Sequence, residues 1–192
     1  MPDVLHDQEG HRKYLNKAER EAFLKAALDE ERERRTFCEM LHYSGARISE
    51  VLAITAGRID LDTHSVTLES LKKRQRGIFR IVPLPSSFVE RLDLVHGIKQ
   101  AQKKGKEEVW LWTCSRTTAW RIAKGVMQRA GVISSAATPK GLRHGFGVAG
   151  VTHEVPLNMV QKWLGHTDIA TTAIYANAIG EEERQIAQRM WE

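Results

Sequence analysis

Between residues 59 and 82 the hydrophobic residues of this chain change their spacing. Apolar and polar residues alternate there in three short stretches, 59–61, 66–68 and 78–82, as they do in half-buried strands. A segment typical of turns, 62–64, separates the first two stretches, and prolines follow the third. Strands this short and this close in sequence predict a small three-stranded antiparallel sheet.

The segments on both sides of these strands show helical spacing instead. Apolar residues recur every three or four positions from Leu15 to Ala27, in a second helix that Gly45 should end, and in a third that starts near Ala46. Residues that commonly open or cap helices mark later ones: Ser115, Thr138, Pro156 and Asp168. The sequence therefore predicts an α+β fold that is mainly α-helical.

The composition is that of an ordinary globular chain. Of its 192 residues, 42% are hydrophobic and 28% are charged, which is enough for one domain with a real core. No run of about 18 apolar residues is present, so no membrane span is expected, and the polar N-terminus is unlike a signal peptide. The two cysteines, Cys38 and Cys114, form no metal-binding pattern and fit reduced thiols in the cytoplasm.

A cluster of basic residues follows the second predicted strand. The chain reads KKRQRGIFR from residue 72 to residue 80, and its net charge is +5. A basic turn of this kind is often only a solvated surface, but as part of a set it fits contacts with DNA phosphates. The candidates for such contacts are Lys72, Lys73, Arg74, Arg76 and Arg80.

Two further groups of polar residues lie at predicted helix starts. Arg47 opens the third helix, and Glu50 one turn later can brace its guanidinium group. Lys140, Arg143 and His144 share one face of a later helix, whose N-terminus adds a partial positive charge. Taken alone, the first group is most simply a surface ion pair and the second a solvated basic face.

Together with His166 and Tyr175, these residues fit one reaction, the attack of a phenolic oxygen on a phosphodiester. Arginine side chains bind the non-bridging phosphate oxygens and neutralise charge that builds up in the transition state. A tyrosine needs a cationic pocket or a base to act as the nucleophile, and a lysine can protonate the leaving 5′-oxygen. The sequence contains no pattern typical of a metal site, so we expect neither a metal ion nor a cofactor.

The order of four segments, SGARISEVLAI, LKKRQRGIFRIVPLP, TPKGLRHGF and VQKWLGHTDIATTAIY, resembles the catalytic domain of the tyrosine recombinases, or phage-type integrases. The resemblance covers the chain from about Tyr14 to its C-terminus. It implies the catalytic-domain fold of that family, double-stranded DNA as the partner, and self-association on DNA as a synaptic tetramer. The reaction that it implies is site-specific recombination through a 3′-phosphotyrosyl intermediate, without ATP or a metal.

The resemblance also implies roles for single residues. Arg47 and Arg143 match the two catalytic arginines of the family, with Glu50 as the acidic residue that supports the first. His166 matches a His or Trp that touches the phosphate, and Tyr175 matches the nucleophile.

The roles of the lysines stay open. The catalytic lysine of the family lies in the turn between the second and third strands, where Lys72 is the preferred candidate and Lys73 a close rival. Lys140 stands where the family most often has histidine, and lysine is a poor base at neutral pH unless its pKa falls. The resemblance therefore leaves the base unassigned, with Lys140 as the catalytic candidate and His144 as a DNA contact.

The expected organisation is a lead-in at residues 1–13, a catalytic domain at 14–179, and a C-terminal helix at 180–192 that either folds back or is exchanged between protomers. Most members of the family carry an N-terminal helical domain that residues 1–13 cannot supply. The chain is accordingly expected to be an excised catalytic fragment or a naturally minimal member. Two other functions stay open, a type IB topoisomerase-like enzyme and a DNA-binding regulator with little activity.

Overall fold

The chain has a mainly helical α+β fold in the computed structural model, which describes residues 5–70, 77–177, 181–188 and 190–191. Within these residues the helices are α1 (Lys17–Ala27), α2 (Arg32–Ser44), α3 (Ile48–Leu52), α4 (Ser86–His96), α5 (Ile98–Lys103), α6 (Arg116–Arg129), α7 (Pro139–Thr152), α8 (Leu157–Leu164), α9 (Ala170–Ala173) and α10 (Glu181–Gln188). The strands are β1 (Ile59–Asp60), β2 (Ser65–Glu69) and β3 (Phe79–Pro83).

The strands form an antiparallel sheet in the order β1–β2–β3, which confirms the predicted fold class. Val66 pairs with Ile59 on one side and with Val82 on the other, so these side chains share one face of the sheet. All three are at most 2% exposed, because that face lies on the core. Four of the predicted basic contacts fall between β2 and β3, outside the described residues: Lys72, Lys73, Arg74 and Arg76.

The helix ends follow the capping signals of the sequence. The hydroxyl of Thr138 accepts a hydrogen bond from the amide of Gly141 at the start of α7, and Ser115 caps α6 in the same way. Gly45 and Gly165 end α2 and α8 in the left-handed conformation, which glycine adopts without strain. These caps matter for function because candidate site residues lie directly beside them.

Helix α2 is the central helix, since it packs against α1, α3, α4, α6 and α7. The main apolar cluster draws on these helices and on the sheet, with Phe23, Phe37 and Leu68 among its buried side chains. A smaller cluster forms where α7 and α8 meet, and it contains Tyr175 together with Leu5. The two clusters divide the core into a larger part under the sheet and a smaller part around Tyr175.

Both ends of the described chain lie on this core. In the predicted lead-in, Leu5 is fully buried, and a bridge between His6 and Arg12 closes a small hairpin. At the other end, α10 lies against α7 of the same chain. Among the described residues, no helix is both long and apolar enough to cross a lipid bilayer.

The α7 helix carries glycines where other segments approach its backbone. A Cβ atom on Gly141 would overlap the carbonyl oxygen of Ala136, and one on Gly145 would overlap that of Leu15. In both cases the obstacle is backbone, which cannot turn aside as the end of a side chain can. Glycine at these two positions therefore lets α7 pack closely against two backbone segments. One is at Leu15, before α1, and the other is at Ala136, before α7.

We predict that Gly141→Ala lowers the free energy of unfolding by about 1–3 kcal/mol, because the added methyl group overpacks this contact. Gly125→Ala in α6 is the matched control, since its Cβ would meet only the end of the Arg129 side chain, at 3.6 Å. There, alanine should stabilise the helix by about 0.5–1 kcal/mol. Urea unfolding of both variants measures the difference, and changes of the same sign would contradict this account of α7.

Candidate active site

The buried carboxylate of Glu50 lies at the centre of the candidate site, with its side chain 1% exposed. Arg47 donates to it twice, from Nη1 to Oε1 and from the backbone amide to Oε2, both at 2.8 Å. Arg80 donates from Nη2 to Oε2 at 2.7 Å and from Nη1 to Oε1 at 3.2 Å. Nη1 of Arg143 lies 3.9 Å from Oε2. The predicted brace between Glu50 and Arg47 is thus part of a larger cluster.

The charges of this cluster do not cancel. Burial by itself raises the pKa of Glu50, but the hydrogen bonds and charges of Arg80 and Arg47 outweigh it, so the pKa lies below its ordinary value. The carboxylate is therefore ionised at neutral pH, and three guanidinium groups surround it. The formal excess of two positive charges favours the binding of an anion beside the cluster.

Arg143 on α7 holds the ends of two other helices. Its Nη1 donates to the carbonyl of Gly45 at the end of α2, at 2.8 Å, and its Nη2 donates to Leu164 at the end of α8, at 2.6 Å. Burial lowers the pKa of Arg143 to about 10, and the charge of Arg47 adds to that shift. The group remains charged at neutral pH, where carbonyls at helix C-termini stabilise a cation.

Arg80, predicted to contact DNA, is buried in this structure. Its side chain is 7% exposed, and besides Glu50 it contacts the carbonyl of Trp163, to which Nε donates at 2.7 Å. Arg80 occupies a buried position of β3, two residues before Val82 on the same face. The alternation of buried and exposed positions along β3 predicts that Arg80 is buried. The basic residues that precede Arg80 in the sequence favoured a solvated turn instead.

His166 follows Gly165 directly, so the left-handed end of α8 sets its position. Its Nδ1 lies 2.9 Å from the hydroxyl of Thr172, which is fully buried. Its ring stacks on that of Tyr175, with the centroids 6.2 Å apart and the planes 20° apart. The segment that carries the tyrosine therefore holds the His166 ring through two contacts, one with Thr172 and one with Tyr175.

Tyr175 lies in a 3₁₀ turn, Ile174–Asn177, which continues the single turn of α9. Its side chain is fully buried, and its ring lies so close to Gly147 that a Cβ there would be 2.5 Å from it. Burial raises the pKa of the phenol, while the charges of Arg143 and Arg47 act in the opposite direction. The hydroxyl is thus held away from water.

His144, predicted to contact DNA, is also buried, with 9% of its surface exposed. Its Nδ1 lies 3.1 Å from the hydroxyl of Tyr175. Burial lowers the pKa of His144 to about 4, and the charges of Lys140 and Arg143 add to that shift. The imidazole is therefore neutral at neutral pH.

A cleft of about 410 Å³ brings five of the predicted site residues together. Its lining includes side chains from α3, α6, α7 and the end of α8: Arg47, Arg116, Trp120, Lys140, Arg143, His144 and His166. Arg116 and Trp120, one helical turn apart on α6, were missed by the sequence analysis, since nothing in their local pattern distinguishes them from an ordinary helix surface. Tyr175 is not among the lining residues, so it lies behind His144. The cleft has the size and the charge to hold a phosphate group.

The sequence model of the phage integrase family matches residues 13–182. The chain belongs to this family. The tyrosine recombinase XerD of Mycobacterium tuberculosis (strain CDC 1551 / Oshkosh) is 32% identical over 149 residues, which are 73% of this chain and 46% of that protein. The tyrosine recombinase XerC of Herpetosiphon aurantiacus is 30% identical over 159 residues, 79% of this chain and 51% of that protein. The chain therefore spans about half the length of these curated relatives.

Solved structures agree with this membership of the family. The crystal structure of XerA recombinase has a TM-score of 0.77 and 22% identity, over 92% of this chain and 64% of that one. XerH site-specific recombinase bound to its difH substrate has a TM-score of 0.73 and 18% identity, over 97% of this chain and 60% of that one. These likenesses confirm the fold of a tyrosine recombinase catalytic domain, as the resemblance implied.

We predict that Arg80→Met lowers the free energy of unfolding by about 3–5 kcal/mol, because it removes a main partner of a buried carboxylate. Arg34→Met is the control, since Arg34 and Glu31 form an exposed pair, with side chains 51% and 79% exposed. Its loss should cost at most about 1 kcal/mol. Urea unfolding of the two variants tests this, and similar losses would contradict the structural role of Arg80.

The contribution of Glu50 has a defined pH dependence. Because its folded-state pKa is lowered, this stabilisation is present above the pKa of the unfolded chain and is lost as the pH falls through the folded value. The difference in unfolding free energy between the parent and Glu50→Gln should therefore shrink in acid. A difference that stays constant down to acid pH would mean that ionisation of Glu50 does not stabilise the fold.

Proposed function

We propose that this chain is the catalytic part of a site-specific recombinase or integrase that cuts and rejoins double-stranded DNA. The observation that carries the proposal is the single cleft on which Arg47, Lys140, Arg143 and His166 converge, with the hydroxyl of Tyr175 directly behind it. Arginine groups fixed around a buried carboxylate are suited to bind a phosphodiester and to stabilise its transition state. Membership of the phage integrase family supports the same chemistry.

In the proposed reaction the oxygen of Tyr175 attacks a DNA phosphate and forms a 3′-phosphotyrosyl bond while the 5′-oxygen leaves. Arg47 and Arg143 hold the non-bridging oxygens, and His166 and Lys140 donate to the phosphate. Lys72, or its rival Lys73, protonates the leaving oxygen. The phosphate bond energy is conserved in the tyrosyl ester, so the joining step needs neither ATP nor a cofactor.

We infer that the active form is an assembly on DNA, a synaptic tetramer in which two sites exchange strands. XerH site-specific recombinase is bound to its difH substrate in the solved structure, which supports DNA as the partner here. Beyond α10, Met190 and Trp191 are 85% and 74% exposed, and such an apolar pair fits a contact with a neighbouring protomer. A DNA substrate and two free cysteines also fit the cytoplasm as the compartment.

A DNA-binding regulator with little activity is the second candidate function. The burial of Tyr175 favours it, because a covered hydroxyl cannot attack a phosphate without a rearrangement. The two functions make opposite predictions for a covalent DNA adduct.

We predict that Tyr175→Phe binds DNA about as tightly as the parent and forms no covalent adduct, because the change removes one oxygen from an otherwise intact site. Incubation with a nicked duplex, a denaturing gel and peptide mapping give the measurement. Tyr43→Phe is the control and should form the adduct, since Tyr43 packs against Phe88, with the ring centroids 5.1 Å apart. An adduct that survives in Tyr175→Phe would falsify the nucleophile, and a parent without any adduct would favour the regulator.

We predict that Lys72→Ala slows cleavage by about 10²–10⁴-fold with little loss of binding, since a general acid acts in the transition state. Lys73→Ala should mainly weaken binding and reduce the dependence of affinity on salt. Cleavage rates and salt titrations of both variants separate the roles. Exchanged effects would assign the catalytic role to Lys73, and unimpaired cleavage in both variants would remove this turn from the mechanism.

A further inference from the structure

His144 lines the candidate cleft and also contacts the hydroxyl of Tyr175. It follows Arg143 on α7, and its ring lines the cleft while its Nδ1 lies 3.1 Å from the phenolic oxygen. Among the described residues, the hydrogen-bond partner of the Tyr175 hydroxyl is this nitrogen of His144. Any path from the buried hydroxyl to a phosphate in the cleft therefore begins beside this imidazole.

The other cleft residues are less suited to take the phenolic proton. Lys140 carries an ammonium group and Arg143 a guanidinium, both of which are donors without an acceptor lone pair. His166 has its Nδ1 on the hydroxyl of Thr172, and its ring stacks on the ring of Tyr175, with the planes 20° apart. The ring nitrogen at hydrogen-bond distance from the phenolic oxygen is thus Nδ1 of His144, and its tautomer decides whether it accepts the phenolic proton.

The surroundings keep His144 ready to accept a proton. Burial and the nearby cations lower its pKa to about 4, so the ring is neutral and has a free lone pair. A DNA phosphate in the cleft would add a negative charge beside Lys140 and Arg143, and would thereby oppose the shift that they cause. The imidazole would become a stronger base only when substrate is bound.

We propose that His144 is the general base that takes the proton of Tyr175 during attack on the phosphate, in place of the histidine that position 140 lacks. The inference rests on the proposed function. In this step the O–H bond of Tyr175 breaks and its proton moves to Nδ1 of His144, while a bond forms between the phenolic oxygen and phosphorus. The bond from phosphorus to the 5′-oxygen breaks, and that oxygen takes a proton from the lysine of the basic turn. On rejoining, His144 returns its proton to the tyrosine.

The first test needs no DNA and reads the tautomer of His144. Correlation spectra of protein with ¹⁵N-labelled histidine distinguish the two tautomers, and His144→Asn identifies the signal. We expect the proton on Nε2 and an acceptor at Nδ1, whose shift changes in Tyr175→Phe. A proton on Nδ1 would overturn the proposal, because a nitrogen that donates to the phenolic oxygen cannot take its proton.

The second test measures cleavage of a nicked duplex. His144→Asn keeps a hydrogen-bonding group near Nδ1 but cannot accept a proton at neutral pH. It should slow adduct formation by about 100-fold at unchanged DNA affinity. His153→Asn is the control and should cleave as the parent does, since His153 lies exposed at the far end of α7. Unfolding midpoints check the fold, and His144→Gln replaces the Asn variant if that one is unstable.

A duplex with sulfur in place of the bridging 5′-oxygen separates a base from an acid. The thiolate leaves without a proton, so the leaving group no longer needs an acid. This substrate should therefore restore cleavage by the variant of the catalytic lysine, Lys72→Ala or its rival Lys73→Ala. It should not restore cleavage by His144→Asn. Rescue of His144→Asn, or cleavage equal to the parent on the ordinary duplex, would overturn the role of His144 alone. A parent that forms no adduct on either duplex would instead overturn the proposed function.

Discussion

The buried carboxylate of Glu50 is the interaction on which the candidate site depends. Three guanidinium groups meet there from three parts of the chain, Arg47 before α3, Arg80 on β3 and Arg143 on α7. Without them a carboxylate that is 1% exposed would be costly to keep ionised, and without Glu50 the guanidinium groups would repel one another. These contacts link the start of α3, strand β3 and helix α7 to one buried carboxylate.

The arginines of this cluster differ in whether they line the cleft. The side chain of Arg80 is 7% exposed, and it donates to the carboxylate of Glu50 and to the backbone carbonyl of Trp163. Its role is therefore structural. Arg47 is 38% exposed and lines the cleft, so it retains donors for a ligand. Arg143 does both, since it holds the ends of α2 and α8 and also lines the cleft. A phosphodiester, with one negative charge and two free oxygens, is the kind of anion that this excess of cations suits.

The sequence predicted those features that depend on neighbours along the chain. The start of α7 at Thr138 and the alternating strands follow local rules, and the structure has both. The environment of Arg80 was missed, because arginine is seldom buried unless it is paired, and its partner Glu50 lies 30 positions earlier. The contact between His144 and Tyr175 spans 31 positions, and no periodicity reports it. The candidates could thus be named from the sequence, but the assignment of surface and buried roles required the tertiary structure.

The burial of Tyr175 imposes the last constraint on the mechanism. Its ring fills the space above Gly147, and its hydroxyl is kept neutral and out of the cleft. In the proposed reaction, attack on a phosphate therefore requires the segment that carries Tyr175 to shift. That segment consists of the single turn of α9 and a short 3₁₀ turn. Tyr175 belongs to the smaller apolar cluster and not to the main core under the sheet. The fold thus combines a frame of cations around Glu50 with a tyrosine, the proposed nucleophile, that packs in a separate cluster, and His144 contacts both the cleft and that tyrosine.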